Sequence, residues 1–512
     1  MDKIETKSKF KGKVLMIQGT ASHVGKSLVV AGLCRLFNNL GYRVAPFKSQ
    51  NMSNNSYITK NGEEIARSQA YQSIAARCEP EVEFNPVLLK PKGNSTSQII
   101  KMGRPYIDTT AEDYYSLHVD SLKEDIIYSL DYLVENYDLI IMEGAGSPAE
   151  INLNDKSISN MYVAKITDSP VILVADIDRG GVFASIYGTI KLLNEKEREL
   201  IRGFIINKFR GNIEILIPGI HQIEVLINKP SLGVIPYIEN FKVSSEDSLS
   251  LNEHESDGEL NIAVIRLPRI SNFTDFDPLS WEPTLNVYYT KDPEDLENAD
   301  VIIIPGSKNT IQDLLWLEKR GFASQIVRLA KRNKLIIGIC AGYQILGSEI
   351  ADNAIEDTMK RVYTGLDLLP INCIFQKYTK TTVQVKGKIE NFPFFKDLKV
   401  DGYEIHMGEI KIKQNDSAFL YRDNNSAIIG SRNEGGTVLG FLLHGFWDND
   451  EVRHRFIEYV YKKTGKIRKI SNSISYQQTL DSNINRMANL LKEHLDIPKL
   501  MKFIENGGDL DK

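Results

Sequence analysis

The sequence predicts an α/β protein built on two doubly wound, mostly parallel sheets, and three observations predict it. Short apolar runs of strand length alternate with stretches at helical spacing, the pattern of strands joined by helical crossovers. The chain has 512 residues, more than one core comfortably serves, and its 42% apolar and 25% charged residues are ordinary for globular domains. Between residues 237 and 260 the composition shifts to Ser, Glu, Asp and Asn, and a second strand–helix series starts after it. The expected organisation is a first domain over 1–240, a linker over 241–260, a second domain over 261–462 and a helical tail over 463–512.

In the first domain an apolar strand runs into a glycine-bracketed turn at residues 16–27 (MIQGTASHVGKS) and opens a helix. Such a turn can aim backbone N–H groups at one oxyanion, with a flexible ammonium for the terminal phosphates and a hydroxyl for Mg²⁺. Gly19, Gly25, Lys26 and Ser27 fit those roles, while Thr20 stands where the usual phosphate loop has its first glycine. Residues 28–40 read as the helix, stopped at Gly41, and residues 42–46 as a second strand. The amide-rich segment 47–56 (FKSQNMSNNS) follows on the edge where open α/β sheets bind ligands. It makes Gln50, Asn51 and Asn54 candidate substrate contacts and Lys48 a candidate phosphate contact. Residues 63–78 read as a helix, 85–92 as a short apolar run hemmed by prolines, and 121–136 as an amphipathic helix feeding a buried strand at 138–142. Glu143, closing that strand ahead of Gly144 and Gly146, is the second candidate Mg²⁺ ligand beside Ser27. Further strands at 171–175, 203–207 and 232–236 leave residues 176–181 and 207–211 on the same edge, with the Asn207 amide as a candidate purine contact.

The balance of 62 Lys and Arg against 67 Asp and Glu, net charge -5, points away from nucleic acid and anionic membranes and toward a small-molecule partner. Four scattered cysteines form no C-x-x-C pair, so neither a disulfide framework nor a zinc site is implied. A charged N-terminus without an apolar leader, and no run near membrane-spanning length, make a cytoplasmic location the expectation.

The second series has strands at 261–266, 301–305, 335–339 and 439–443, and a tail helix at 483–494. Its informative stretch is 336–346 (IIGICAGYQIL): a strand enters, Cys340 sits between Gly338 and Gly342, and a helix leaves. That is the layout of a nucleophile elbow, with a helix N-terminus beside the sulfur to favour the thiolate. The other cysteines lack the bracket and read as small buried hydrophobes. A thiol nucleophile needs a base; His444 ends a late strand on the matching edge, and His406 is the competitor. Residues 305–307, closing another strand, are placed to offer backbone N–H groups to an oxyanion.

Taken in order, 18–27, 46–55, 85–91, 143–148, 176–181, 266–277 (RLPRISNFTDFD), 402–408 (GYEIHMG) and 443–445 resemble the cobyric acid synthase family over nearly the whole chain. In that family a dethiobiotin-synthetase-like P-loop domain precedes a triad-type, class I glutamine amidotransferase domain. The resemblance implies ATP, Mg²⁺ and glutamine as reactants, and a corrin substrate, adenosylcobyrinic acid a,c-diamide, amidated at its b, d, e and g carboxylates. It also implies Cys340 as nucleophile and His444 as its base. A homo-oligomer is compatible with it. Common triad amidotransferases carry a glutamate two residues after the histidine, where this chain has Phe446. Slow or substrate-coupled glutaminase activity is therefore expected, with Glu404 or another carboxylate orienting His444. Two alternatives stay open: a cobyrinic acid a,c-diamide synthase, which shares both domains, and a P-loop switch or partitioning ATPase, which would leave Cys340 and His444 without a use.

Overall fold

The computed structural model describes residues 12–93, 95–153, 157–238, 241, 258–357, 359–469 and 474–506. Most of the expected 241–260 linker lies outside these residues, as do 470–473 and 507–512 of the expected tail.

The first sheet has six strands, all parallel, in the order Ser231–Pro236, Ile201–Phe209, Val171–Asp176, Val14–Gly19, Leu139–Glu143, Val44–Phe47. Its central strands read as continuous apolar runs because helices cover both faces. The Val14–Gly19 strand lies between Val171–Asp176 and Leu139–Glu143, with Ile17 paired to Glu143, so the carboxylate emerges beside the loop that follows Gly19. That is the crevice outside the carboxyl ends of the strands, where such sheets bind ligands.

Two readings of this region change. Residues 63–78 are not one helix: Glu64–Ala66 pairs as a strand with Ser56–Ile58, and the helix starts at Arg67 and runs to Ala76. The proline-hemmed run at 85–92 becomes the strand Val87–Gly93, which pairs in parallel with Gln50–Met52 and antiparallel with Thr96–Lys101. Thr96–Lys101 pairs in turn with Arg104–Thr110. This small sheet turns the amide-rich segment from a free loop into an anchored wall.

The second sheet has ten strands. Five are mutually parallel: Leu285–Thr290, Leu260–Ile265, Val301–Ile304, Leu335–Ile339 and Val438–Phe441. The remaining five, Ile428–Arg432, Ala418–Arg422, Thr381–Ile389, Lys399–His406 and Leu443–His444, extend it antiparallel. Leu443–His444 follows Val438–Phe441 by one residue yet lies at the far end of the antiparallel strands, so this half curls back on itself. The curl returns His444 to the edge where the Leu335–Ile339 strand delivers Cys340.

The tail helix is longer than its apolar spacing suggested, spanning Tyr476–His494, and Ile497–Asn506 forms a further helix. Tyr476 and Leu480 are buried although polar residues surround them. The helix packs back on the first domain against Lys26–Asn39, where a side chain on Gly32 would meet Leu491 and Met487. Among the described residues no helix is long and apolar enough to cross a membrane.

Candidate active site

The turn after Gly19 closes on a residue that must be glycine. Gly25 has φ +97, and a Cβ there would lie 2.3 Å from Asn207 Nδ2. The Asn207 amide donates to Val24 O at 2.8 Å, and its oxygen accepts from the Lys208 N–H at 2.9 Å. The nitrogen of this amide, read from the sequence as a purine contact, braces the loop from behind, while its oxygen bonds the next residue of its own strand. Thr20 N–H donates to Val174 O on the neighbouring strand at 3.0 Å. Lys26 Nζ is buried and donates to Ala21 O and Gly146 O, each at 2.9 Å, so the ammonium lies in the cradle of the loop.

Ser27, in the first turn of the helix, donates to Glu143 Oε1 at 2.8 Å. The same oxygen takes Lys48 Nζ at 2.8 Å, and Gln72 Nε2 donates to Oε2 at 2.6 Å. Lys48 and Glu143 form a buried ion pair with side chains 5% and 0% exposed. Lys48 thus reaches this site through the carboxylate, and Gln72, which no sequence pattern singled out, completes it.

A cavity of about 610 Å³ opens over the loop, lined among others by Lys26, Lys48, Asn51, Asn54, Gly146 and Phe273. Asn51 and Asn54 face it from the amide-rich wall, Asn51 held by Ser68 and Gln69 and Asn54 by Pro91 O. Gln50 lies apart from it, accepting from Tyr114 Oη at 2.5 Å and lining a separate cavity of about 210 Å³. Phe273, with Pro268 and Arg269, reaches the large cavity from the second domain, so the two domains share its wall.

Cys340 adopts φ +53 and ψ −108, a conformation L side chains rarely hold, at the junction of strand Leu335–Ile339 and helix Ala341–Ile345. The turn is tight: a Cβ on Gly342 would fall 1.9 Å from Ile304 O. The sulfur lies in a chamber of about 40 Å³ lined also by Lys90, Lys308, Gln344, Glu356 and Lys380. Burial pushes the Glu356 carboxyl up to about 7 and the Lys380 ammonium down to about 8. Lys90, from the first domain, and Lys380, from the second, share the buried Glu64 carboxylate. Burial opposes ionisation of Glu64, but the two ammonium groups outweigh it and hold the acid well below the usual range.

His444 is fully buried, with Nδ1 2.6 Å from Asp275 Oδ2. The other oxygen of Asp275 accepts the Gly445 N–H at 3.0 Å, so the carboxylate grips both the ring and the backbone beyond it. Burial alone would lower the imidazole's pKa; the charge and hydrogen bond of Asp275, with the Cys340 sulfur, push it up to about 10. After Asp275, the Cys340 sulfur is the group whose hydrogen bond and charge do most to raise the imidazole. Of the two options left open for orienting His444, it is the other carboxylate, Asp275, that holds the ring, since Glu404 takes Arg422 through both oxygens and His406 Nε2 at 3.0 Å. His406, the competing base, is held there although it lines the Cys340 chamber.

Asp275 was missed because it follows no strand-end rule and lies in a short turn, Phe273–Phe276, far from His444 in sequence. Its one signal was the pair of aspartates in RLPRISNFTDFD, which does not by itself distinguish Asp275 from Asp277.

Two family models match the chain: a CobQ/CobB/MinD/ParA nucleotide binding domain over residues 15–251 and a CobB/CobQ-like glutamine amidotransferase domain over residues 261–452. A probable cobyric acid synthase of Methanosarcina mazei is 45% identical over 501 residues, covering 96% of this chain and 99% of the relative. A cobyric acid synthase of Alkaliphilus metalliredigens is 44% identical over 507 residues, with the same coverage of each. Among solved structures, PurLQS from Thermotoga maritima aligns with 40% of this chain and 99% of its own, at 19% identity and a TM-score of 0.30.

Proposed function

Because this chain belongs to the cobyric acid synthase family, glutamine-hydrolysing ligases that form amides in cobalamin biosynthesis, we propose that it converts adenosylcobyrinic acid a,c-diamide to adenosylcobyric acid. Amide groups are added at the b, d, e and g carboxylates. The observation that carries this reading is the shared cavity wall: a phosphate-loop cavity and a Cys–His–Asp constellation are built in one chain, with Asn54 and Phe273 facing the same space from opposite domains.

In the amidotransferase half, the Cys340 sulfur attacks the carboxamide carbon of glutamine, and a C–S bond replaces the C–N bond. His444 gives its proton to the departing ammonia, then takes one from the water that hydrolyses the thioester to glutamate. Asp275 keeps the imidazole oriented through Nδ1 and stabilises its charged form.

In the synthetase half the donor set fits a nucleotide triphosphate with Mg²⁺. Lys26 lies among loop carbonyls, and a hydroxyl stands beside a carboxylate at the helix start. When bound, ATP with Mg²⁺ supplies the phosphoryl group that turns a corrin carboxylate into an electrophile for ammonia. Lys26 and the loop N–H groups hold the phosphates, Ser27 and Glu143 the metal, and Lys48 keeps Glu143 in place. Asn51 and Asn54 meet the corrin periphery from the cavity wall.

Incubation with ATP-Mg²⁺, glutamine and the diamide, followed by mass spectrometry, tests the reading. Stepwise conversion of carboxylate to amide until all four sites have reacted is expected. An unchanged diamide with amides gained by cobyrinic acid would reassign the chain to the a,c-diamide synthase activity.

A further inference from the structure

Two cavities meet at Ala145 and Gly146, which line both. Their walls carry opposite charge. The large cavity over the phosphate loop is lined by Lys26, Lys48 and Arg269 and, among the described residues, by no carboxylate. The smaller one, of about 210 Å³, is lined by the carboxylates of Glu150 and Glu197 and, among the described residues, by no Lys, Arg or His. Gln50, which lies apart from the large cavity, lines this one together with Ser147, Ser157, Ser159 and Asn160.

The smaller cavity is firmly built. Asn160 adopts φ +46 and ψ −116, a conformation L side chains rarely hold, and its Nδ2 donates to Ala145 O at 2.6 Å and to Ser147 O at 3.3 Å. The partition between the two cavities is pinned in this way. Gly144 leaves room for it, since a Cβ there would fall 2.2 Å from Asn160 Oδ1. The Ser157 and Ser159 hydroxyls bond each other at 3.0 Å, and Gln50 Oε1 accepts from Tyr114 Oη. Glu197 is 4% exposed, with Lys165 Nζ 3.1 Å from one oxygen and the Asn194 N–H donating to the other at 3.3 Å. Each oxygen therefore keeps capacity for a further donor. The Lys165 side chain is 48% exposed and lies outside the lining, so solvent screens its charge.

A carboxamide and a carboxylate have nearly the same size and shape, so a pocket tells them apart by charge and by hydrogen-bond donors. The carboxamide brings N–H donors for the glutamates and the serine oxygens. A carboxylate brings none, and both glutamates repel it. We infer that the smaller cavity is a carboxamide subsite, which takes an already amidated arm of the corrin while a carboxylate arm lies among the cations of the large cavity. Glu150 and Glu197 are then specificity-determining residues that read whether the substrate carries a primary amide. The reaction that supplies this substrate must itself be an amidation of the same corrin acid. Each amide formed here adds a further group that the subsite accepts, which suits a chain that amidates one corrin repeatedly. This inference rests on the proposed reading of the large cavity as the place where a corrin carboxylate is activated.

The test is equilibrium binding of two corrins, adenosylcobyrinic acid a,c-diamide and adenosylcobyrinic acid, to the full chain and to its Glu150→Gln and Glu197→Gln variants. Wild type should bind the diamide about tenfold or more tightly than the acid. Each variant should lower that ratio by about threefold or more, chiefly by tightening the acid. ATP affinity, which reports an intact phosphate loop, should stay within about twofold of wild type. Glu150 is exposed, so Glu150→Gln decides the matter even where Glu197→Gln fails to fold. A ratio unchanged in the folded variants overturns the subsite, as does an equal loss of affinity for both corrins and for ATP. A wild type that amidates the diamide but binds the two corrins equally overturns the subsite alone; a wild type that binds and amidates neither overturns the functional reading beneath it.

Discussion

Asp275 Oδ2 lies 2.6 Å from His444 Nδ1 across 169 residues of chain, a carboxylate brought to a buried imidazole by the fold alone. The first prediction follows from it. Asp275→Asn keeps the shape but lets the amide stabilise the wrong tautomer, so glutamine-dependent amidation should fall by up to about 10⁴-fold. Ammonia-dependent amidation should stay near wild type, because it bypasses His444. A small change in the glutamine assay would mean another group orients the ring.

The same pair fixes a pH dependence of stability. The folded His444 pKa, about 10, stands above its ordinary value of 6.5. A group raised on folding stabilises fully below its unfolded pKa and loses that contribution as pH rises through the folded one. The stability gap between wild type and Asp275→Asn should therefore be full below pH 6.5 and shrink as pH rises toward 10. Unfolding midpoints across that window measure it, and a gap that stays constant contradicts the ion pair.

The two half-sites should separate cleanly. Cys340→Ala removes the nucleophile, so glutamine should cease to be an ammonia donor, a loss of at least about a thousandfold, while free ammonia still serves. Glu143→Gln removes the anion between Ser27 and Lys48. It should abolish amidation from either nitrogen source and leave unstimulated glutamine hydrolysis in place. Glutamine-dependent turnover in Cys340→Ala would remove Cys340 from the mechanism.

Much of this was legible wherever a residue's role is set by its immediate neighbours. The loop ending in Gly25, Lys26 and Ser27 and the elbow at Cys340 each announce themselves, because a glycine that must clear a nearby group stands beside the chemical group it presents. Glu143 was legible for a related reason, as a carboxylate ending a buried strand. Gln72 and Asp275 act across the fold, through contacts the topology creates and no spacing encodes. Glu404 shows the opposite failure: it stands two residues from His406 and across the sheet from Leu443, but Arg422 claims both of its oxygens. Gln50 is taken away from the large cavity in a comparable way, by Tyr114, whose hydroxyl donates to its amide oxygen.

The tail offers the last prediction, since it joins stability to the nucleotide site. Arg35, on the helix that begins at Lys26, reaches Asp481 at 2.7 Å, and the tail helix also lays Leu491 against that same helix. Two effects compete to explain the docking. The Asp481 side chain is 54% exposed, and Arg35 without it keeps Asn485 and the carbonyls of Ile74 and Ala75. Asp481→Ala should then cost about 1 kcal/mol or less. Leu491 is fully buried, so Leu491→Ala opens a cavity and should cost about 2–5 kcal/mol. Packing should therefore dominate the ion pair, and urea midpoints of the two variants decide it. Because Leu491 braces the helix that carries Lys26 and Ser27, Leu491→Ala should also raise the KM for ATP while leaving that for glutamine unchanged. The reverse order of stability losses would make Arg35 and Asp481 the anchor of the tail.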